Sequence, residues 1–416
     1  MQPAEPFLHT ATKSAMMHAA LGVWVLSALI CLGRGDHHEG HANGGLDQVT
    51  SGNKDFAFQL YRKLAAHADT QGKNIFYSPS SMSVALAALS VGARGDTHQQ
   101  LFSGLGYNST QVTQTDVNQA FGELIKRQDQ SPDISEGTAV FLDNTFQPKP
   151  EFMKVLKESF YADGFNVDYK QKTKESADTI NKYVNDKTHG KIEKLLEEVE
   201  PNTVMYLISY IYFKGIWASP FEPKYTKEDN FTVDENTKVP VQMMNNEDNF
   251  DIYHDLAINT TILRLPFNSS YSMLLMLPEN MAELEKEICP QHVAKWSKWM
   301  KPRNYDVFVP KFSIKTSYTL NDVLADMGMS HMFDDRADLS GIAEGPKLAV
   351  SKVVHQAALD VDEAGATAAA ATGIGITLMS LQFVPVLKFN RPFMVLITEN
   401  TTDNILFMGK ILNPNM

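Results

Sequence analysis

The chain has 416 residues, of which 43% are hydrophobic and 21% are charged, a composition typical of a globular protein with a large core. Its formal net charge of −12 argues against nucleic acid or another polyanion as a partner unless basic residues cluster locally. The nearest approach to such a cluster is Lys298, Lys301 and Arg303, which a solvated surface explains better. No linker, repeat or low-complexity tract divides the chain after about Asn53, so we expect one large domain over residues 53–416.

The N-terminus carries an apolar run over residues 19–32. This run is too short to span a bilayer comfortably and is typical of a secretory signal peptide rather than a membrane anchor. We therefore expect residues 1–35 to be removed and the protein to be secreted into the extracellular space. The residues before the run are unusually many for a signal peptide, so Met16 or Met17 is an alternative start of translation.

A histidine-rich tract over residues 36–41 follows the predicted signal peptide and brings three imidazoles and two carboxylates together. Its spacing is loose and no helix or strand is predicted around it, so a metal site is the weaker explanation. We expect a disordered tail over residues 36–52 and no bound metal.

The cysteines and the glycosylation signals agree with secretion. Cys31 would leave with the signal peptide, and Cys289 would remain alone, either buried or in a mixed disulfide, with burial favoured. Five Asn-X-Ser/Thr signals are potential N-glycosylation sites, which must lie on the surface if they are occupied. They are Asn108, Asn230, Asn259, Asn268 and Asn400.

Helix patterns dominate the first half of the chain. Apolar residues recur at helical spacing from Phe56 to Leu64, which predicts an amphipathic helix. Residues 83–91 would be apolar on nearly every side of a helix, which predicts a buried one. A further helix is predicted over residues 176–189, with Gly190 as its stop signal.

Strand patterns dominate the second half, and this order favours an α+β fold with a large mixed sheet. Residues 203–212 are apolar and rich in β-formers, as expected of a central strand. The other predicted strands cover residues 271–277, 305–314, 353–362, 393–397 and 405–408.

Between two of these strands, the segment Ala366–Leu378 carries no charge, no proline and no large anchoring side chain. A flexible linker or a weak helix is the simplest explanation of such a run, but a linker is not expected between strands of one domain. The alternate positions Ala366, Ala368 and Ala370 are small, as a strand needs if one of its faces is to slide between two existing strands. The segment is therefore predicted to be exposed in one state and a strand in another.

No enzyme signature accompanies this segment. The chain lacks a G-x-S-x-G elbow, an H-E-x-x-H zinc motif, a phosphate-binding loop and paired CxxC motifs. Ser78, Ser81 and His355 could be assigned as a nucleophile with its base, but Ser78-Pro79 opens a predicted buried helix and His355 lies in a predicted strand. We expect the protein not to be an enzyme.

Several long motifs give the chain a specific resemblance to a known family. They cover Asn74–Ser81, Gly92–Thr97, Tyr212–Trp217, Ala337–Gly341, Glu363–Gly365, Leu387–Phe393 and Phe407–Lys410. In these motifs and in their order, the sequence resembles the serpins, most closely the alpha-1-antitrypsin group. The resemblance implies an α+β fold with a large mixed central sheet, further sheets, about nine helices and an exposed reactive loop over residues 363–388.

The resemblance also implies a function. Serpins of this kind are secreted inhibitors that a serine protease cleaves in the loop, after which the loop inserts as a strand and the acyl-enzyme is trapped. The loop hinge would be Glu363, Gly365, Ala366, Ala368 and Ala370. Some relatives carry hormones instead and commonly show bulky or charged hinge residues, so the small side chains here favour inhibition over that alternative.

Family spacing from Glu363 places the reactive bond between Met379 and Ser380, with Leu378 as the alternative bait residue. An unbranched apolar side chain suits elastase-like or chymotrypsin-like proteases and lacks the cation that a trypsin-like pocket requires. We expect a monomer that needs no cofactor. Heparin is not expected as a partner, because residues 97–100 lack the basic helix of heparin-activated relatives.

Two contact sites around the central sheet are implied by the resemblance. The shutter cluster would consist of Ser78, Ser81, Ser209 and His355, buried beneath the place where the sheet opens. Ser209 stands where the family almost always has asparagine, which predicts a looser or water-bridged cluster.

The second site, the breach, would join Lys311 to Glu363 near Trp217, although two solvated charges are the simpler explanation of that pair. Family glycans favour Asn108 and Asn259 among the five sequons.

Overall fold

Two large β-sheets and nine α-helices make up residues 44–128, 133–364 and 384–416, the parts of the chain that this computed structural model describes. The helices are α1 (Gly44–Ala66), α2 (Pro79–Gly92), α3 (Gly95–Gly104), α4 (Gln114–Gln128), α5 (Pro150–Phe160), α6 (Thr173–Lys187), α7 (Met281–Glu287), α8 (Pro290–Trp299) and α9 (Asn321–Asp326). The strands are β1 (Ile75–Tyr77), β2 (Ile134–Asp143), β3 (Gln147–Pro148), β4 (Asp163–Val167), β5 (Met205–Phe213), β6 (Lys227–Thr232), β7 (Lys238–Asp255), β8 (Thr260–Pro266), β9 (Tyr271–Pro278), β10 (Lys301–Pro310), β11 (Phe312–Thr319), β12 (Ala343–Glu344), β13 (Lys352–Val361), β14 (Val386–Lys388), β15 (Phe393–Glu399) and β16 (Ile405–Ile411). The predicted α+β class, with a large mixed sheet and further sheets, is confirmed.

The five-stranded sheet has the strand order β11-β13-β5-β2-β4. Strands β13 and β5 are parallel, as are β2 and β4, whereas the other two pairs are antiparallel. Every residue of β5 is buried, because its side chains alternate between one core on one face of the sheet and two cores on the other face. Leu207 packs in the core that contains α2, and Ile208 packs in the core that contains α6. The continuous apolar run of this central strand therefore follows from cover on both faces.

The nine-stranded sheet follows the order β1-β16-β15-β9-β8-β7-β10-β14, with β6 paired to β7 at its side. The predicted strand over residues 305–314 is wrong as a single element. It divides at Lys311 into β10, which belongs to this sheet, and β11, which belongs to the five-stranded sheet. Lys311 consequently lies at the junction of the two large sheets, where its backbone N–H donates to the carbonyl oxygen of Gln242 at 2.8 Å.

Helix α2 is the buried helix that the sequence predicts, with all of its residues except Val91 buried. Ser78 caps its N-terminus, since its Oγ accepts the backbone N–H of Ser81 at 3.0 Å, and Pro79 takes the first helical position. This cap fixes Ser78 and Ser81 at the end of the helix that faces the five-stranded sheet.

Helix α1 corrects the predicted boundary of the N-terminal tail. It begins at Gly44, so the last part of the segment 36–52, expected to be disordered, is helical. Val49 is fully buried, and Gly52 lies so close to the ring of Tyr107 that a Cβ there would approach it to 2.7 Å. The predicted signal peptide over residues 1–35 lies outside the described residues.

Cys289 lies at the start of α8 and is only 4% exposed, as expected. It is disulfide-bonded, however, and its partner lies outside the described residues. The expectation that Cys289 remains alone concerns the chain after removal of residues 1–35, and for that chain it stays a prediction. Among the helices of the described residues, none combines the length and the apolar character that crossing a membrane requires.

Candidate functional site

The boundary between β5 and β13, called the seam below, is the central feature of the candidate site. The two strands run parallel, with Leu207 opposite Val353 and Phe213 opposite Leu359. A strand placed between them and running the other way would be antiparallel to both and could pair with both. The chain leaves β13 at Val361 and continues directly into Glu363, so a segment that folded back from there would have this direction.

The predicted shutter cluster is assembled beneath this seam. His355 on β13 lies directly opposite Ser209 on β5, and its Nδ1 is 3.0 Å from Ser209 Oγ. Ser209 Oγ is 2.6 Å from Ser81 Oγ, and the backbone N–H of Ser78 donates to His355 Nε2 at 2.9 Å. The cluster thus joins β5, β13 and the N-terminus of α2 through hydrogen bonds.

The hydrogen bond from Ser78 determines the state of the imidazole. Because Nε2 accepts a backbone N–H, the neutral ring carries its proton on Nδ1 and donates it toward Ser209. Complete burial lowers the pKa of His355 to about 3, and a hydrogen bond with the backbone of Ser209 offsets only part of that effect. His355 is therefore neutral at physiological pH.

Serine in place of asparagine does not open a gap at position 209. The Oγ atom of Ser209 reaches both Ser81 and His355 directly, so the water bridge expected from the sequence is not needed. Ser78, Ser81, Ser209 and His355 are each no more than 2% exposed. A substrate could not reach them, which agrees with the expectation that they are not a catalytic set.

The predicted breach contact forms at the end of β13 nearest the loop. Lys311 Nζ lies 2.7 Å from Glu363 Oε2, and Thr226 Oγ1 donates to Glu363 Oε1 at 2.8 Å. Partial burial alone would raise the pKa of Glu363, but the hydrogen bonds from Lys311 and Thr226 outweigh it and hold that pKa below its ordinary value. Two independently solvated charges are therefore the wrong description of this pair.

Trp217 holds the backbone on both sides of Glu363. Its indole Nε1–H donates to the carbonyl oxygen of Asp362 at 2.8 Å, and its backbone N–H donates to that of Ala364 at 3.2 Å. The indole itself stacks on Phe267 with ring centroids 4.5 Å apart. The backbone N–H of Phe221 donates to the carbonyl oxygen of Glu363 at 2.8 Å. The chain is thus fixed up to the residue where the predicted hinge begins.

The rest of the predicted loop site lies outside the described residues. This applies to the hinge residues Gly365, Ala366, Ala368 and Ala370, to the reactive bond Met379–Ser380 and to the alternative bait residue Leu378. The asparagines of all five sequons lie in the described part and are exposed. At Asn108, the Oδ1 atom accepts both the backbone N–H and the hydroxyl of Thr110, at 3.0 and 2.8 Å.

The sequence analysis missed some residues of this site. Thr226 lies in an irregular segment, and nothing in the pattern around it signals contact with Glu363. Asp360 is different, because it follows the apolar run Ala357–Leu359 of β13 and its carboxylate contacts Tyr212 on β5. Such a charge after an apolar run is a visible signal of a polar contact. No group of three or more His, Cys, Asp or Glu residues arranged to hold a metal ion occurs in the described ranges.

Comparison with known proteins agrees with this geometry. Residues 51–414 match the family described as "Serpin (serine protease inhibitor)". Serpin A3-5 of Bos taurus is 38% identical over 88% of this chain and 89% of its own length. A serine protease inhibitor of the A3 group from Rattus norvegicus is 39% identical over 95% of this chain and 99% of its own length.

Solved structures of the same family are also similar. Human thyroxine-binding globulin complexed with thyroxine has a TM-score of 0.84 and 33% identity, over 89% of this chain and 100% of that one. Human glycosylated kallistatin has a TM-score of 0.81 and 34% identity, over 89% and 99% of the two chains. The extent of these matches, together with the seam, the shutter cluster and the breach, establishes that the chain belongs to the serpin family.

Proposed function

We propose that this protein is a secreted inhibitor that traps serine proteases by inserting its cleaved reactive loop into the seam. The observation that carries the proposal is the arrangement of β5 and β13: two parallel, buried central strands, one of which runs directly into the hinge. Loop insertion in serpins is an established case of strand addition to a sheet. The identity to protease inhibitors of the serpin A3 group supports the same function.

The mechanism follows from the chemistry of the protease. Its Ser-His-Asp machinery attacks the bait bond and forms an acyl-enzyme, and hydrolysis of that ester depends on an intact oxyanion hole. Cleavage frees the arm from Glu363 to Met379, which at ~3.3 Å per residue spans about 50 Å as a strand. When the arm inserts, the acylated protease is carried along the sheet and its active site is distorted, so deacylation stops. The free energy comes from an inhibitor that is held kinetically in a less stable form.

We propose Met379–Ser380 as the bait bond, with elastase-like or chymotrypsin-like proteases as targets. The protein would act as a monomer without heparin. Glycans at Asn108 and Asn259 are proposed first among the five exposed sequons, and Asn230, Asn268 and Asn400 remain further candidates.

The experiment mixes the purified secreted protein with neutrophil or pancreatic elastase. A denaturing gel and mass spectrometry of the released peptide provide the readout. We expect a complex that survives boiling and a peptide that begins at Ser380. Clean cleavage without a complex would make the protein a substrate and contradict the proposal.

A matched pair of variants tests whether insertion causes the trapping. Ala368→Arg places a charge on the face that must enter the sheet, whereas Ala369→Arg places the same charge on the opposite face of the arm. We expect Ala368→Arg to convert the inhibitor into a substrate and Ala369→Arg to retain most of the complex. Equal behaviour of the two variants would show that insertion is not the trapping step.

A hormone carrier is the second candidate, because the solved structure of a thyroxine-binding globulin is similar over 89% of this chain. Carriage predicts saturable binding of thyroxine without a covalent protease complex. Quenching of intrinsic tryptophan fluorescence by thyroxine, measured on the same preparation, distinguishes the two functions.

A further inference from the structure

A second set of polar contacts crosses the seam on the face opposite to the shutter cluster. Side chains of β13 alternate between the core with α2, which contains Val353, and the core with α6, which contains Val354. His355 therefore faces α2, and Asp360 lies on the α6 side. Across the seam, the hydroxyl of Tyr212 donates to Asp360 Oδ2 at 3.1 Å.

Lys191, in the segment that follows α6, contacts both strands at the same place. Its Nζ lies 3.3 Å from Asp360 Oδ2 and 5.2 Å from the centroid of the Tyr212 ring. A cation over an aromatic face that also pairs with a carboxylate favours one arrangement of all three groups. Partial burial raises the pKa of Asp360, but hydrogen bonds from Ser313, Tyr212 and Lys191 together lower it below its ordinary value.

The two oxygens of Asp360 serve different strands. Oδ2 takes the contacts across the seam, whereas Oδ1 accepts the hydroxyl of Ser313 on β11 at 2.6 Å. Ser313 lies directly opposite Asp360 in the antiparallel pair of β11 and β13. Insertion at the seam leaves the pairing of β11 with β13 intact. The hydrogen bond from Ser313 can therefore persist after insertion, whereas the hydrogen bond from Tyr212 cannot.

Distance shows why the Tyr212 bond must break. Neighbouring strands lie ~4.8 Å apart, so a strand inserted between β5 and β13 moves them to roughly 9.6 Å apart. A hydrogen bond of 3.1 Å between Tyr212 and Asp360 cannot span that gap. Asp360 is also closer to the hinge residue Glu363 than His355 is, so an arm that enters from Glu363 meets this contact before the shutter cluster.

We propose that Asp360, Tyr212 and Lys191 form a seam latch that must open before the reactive arm enters the sheet and that sets the rate of insertion. The inference rests on the proposed function, since it concerns the sheet opening that trapping requires. These three residues lie outside both the shutter cluster and the breach. By setting the rate of insertion, they would influence whether the protein traps the protease or is simply cleaved by it.

The test measures sheet opening without any protease. A synthetic peptide with the sequence of residues 366–379 is incubated with the full-length secreted protein, and the rate of its stable incorporation is followed by native gel and mass spectrometry. Tyr212→Phe removes the hydroxyl that crosses the seam. Ser313→Ala is the matched control, since it removes a hydroxyl that contacts the same carboxylate without crossing the seam.

We expect Tyr212→Phe to accelerate incorporation about tenfold, the effect of losing roughly 1.4 kcal/mol from the closed state. Ser313→Ala should change the rate by less than about twofold. Equal rates for the wild type and Tyr212→Phe, or equal acceleration by both variants, would overturn the latch. So would a sheet that takes up no peptide in any variant.

Lys191→Gln provides a second variant if Tyr212→Phe is not secreted, because the side chain of Lys191 is 46% exposed and its loss leaves the core unchanged. It should also accelerate incorporation relative to Ser313→Ala, and failure to do so would overturn the latch.

The elastase experiment is independent of these rates. A protein that forms no protease complex but shows the contrast between Tyr212→Phe and Ser313→Ala would keep the latch and lose the proposed function.

Discussion

Lys311 Nζ lies 2.7 Å from Glu363 Oε2, and this ion pair joins the junction of the two large sheets to the residue at which the predicted reactive loop begins. Thr226 and Trp217 add hydrogen bonds to Glu363 and to its neighbours. The seam can open from this end only after the contacts around Glu363 weaken. The pair is therefore a restraint on early opening of the sheet.

Glu363→Lys should weaken this restraint by roughly 1–3 kcal/mol, because it removes hydrogen bonds to a charged group and places two cations together. We expect more intracellular polymer and less secreted monomer from expressing cells, measured by native gel and immunoblot. Glu200→Lys is the matched control, because it reverses the charge of an exposed partner of Lys352 away from the breach. Unchanged secretion and no polymer with Glu363→Lys would remove the pair from the mechanism.

Ser209→Ala should destabilise the native state by roughly 1–3 kcal/mol, because it removes the hydroxyl that both His355 Nδ1 and the hydroxyl of Ser81 contact. Equilibrium unfolding in urea measures this loss. Ser83→Ala is the control on the same helix, since Ser83 Oγ is buried and has no hydrogen-bond partner among the described residues, so its removal should cost little. Equal effects of the two substitutions would show that the shutter hydrogen bonds do not stabilise the fold.

The free energy of unfolding should decrease as the pH is lowered through the range between the two pKa values of His355, in the folded and in the unfolded chain. Its pKa is about 3 in the folded protein and takes its ordinary value near 6.5 in the unfolded chain, so the unfolded chain binds more protons between these values. The free energy of unfolding is therefore unaffected by this group above about pH 6.5. Below that pH it should decrease by up to ~1.4 kcal/mol per pH unit until about pH 3.

Unfolding in urea between pH 7.5 and 4 measures this slope. His355→Gln removes the titrating group. Its free energy of unfolding should therefore change less steeply with pH than that of the wild type, by the contribution of about one bound proton. Parallel slopes for the two proteins would mean that another group controls the acid sensitivity.

The sequence analysis predicted the elements whose pattern is local. It could not predict to which sheet a strand belongs. Ser78 was recognisable as the start of a buried helix, because a capping serine followed by proline and an apolar run is a local signal. The division of residues 305–314 at Lys311 was not, since alternation continues through it and only tertiary packing assigns the two halves to different sheets. Gly44–Gly52 was also missed, because its composition is that of a loop and its helix depends on docking of Val49.

The candidate site divides in the same way. The resemblance to serpins supplied Ser209, His355, Lys311 and Glu363, but not the direct contacts of Ser209, because the reach of a serine hydroxyl depends on how close α2 comes to β5. Asp360 was accessible from the sequence as a charged residue that follows the apolar run Ala357–Leu359. Its partners were not, because Tyr212 and Lys191 come from distant segments.

Oxidation of Met379 should act as a switch on inhibition, if this residue is the bait. The sulfoxide is polar and chiral, so it fits an apolar specificity pocket poorly and should slow association with elastase by about tenfold or more. Stopped-flow or progress-curve measurement with mildly oxidised protein gives the association rate. Met379→Leu is the control, because it keeps an apolar side chain that the oxidant does not modify. An association rate that oxidation leaves unchanged, in a protein whose Met379 is shown by mass spectrometry to be oxidised, would move the bait to another residue, with Leu378 the next to test.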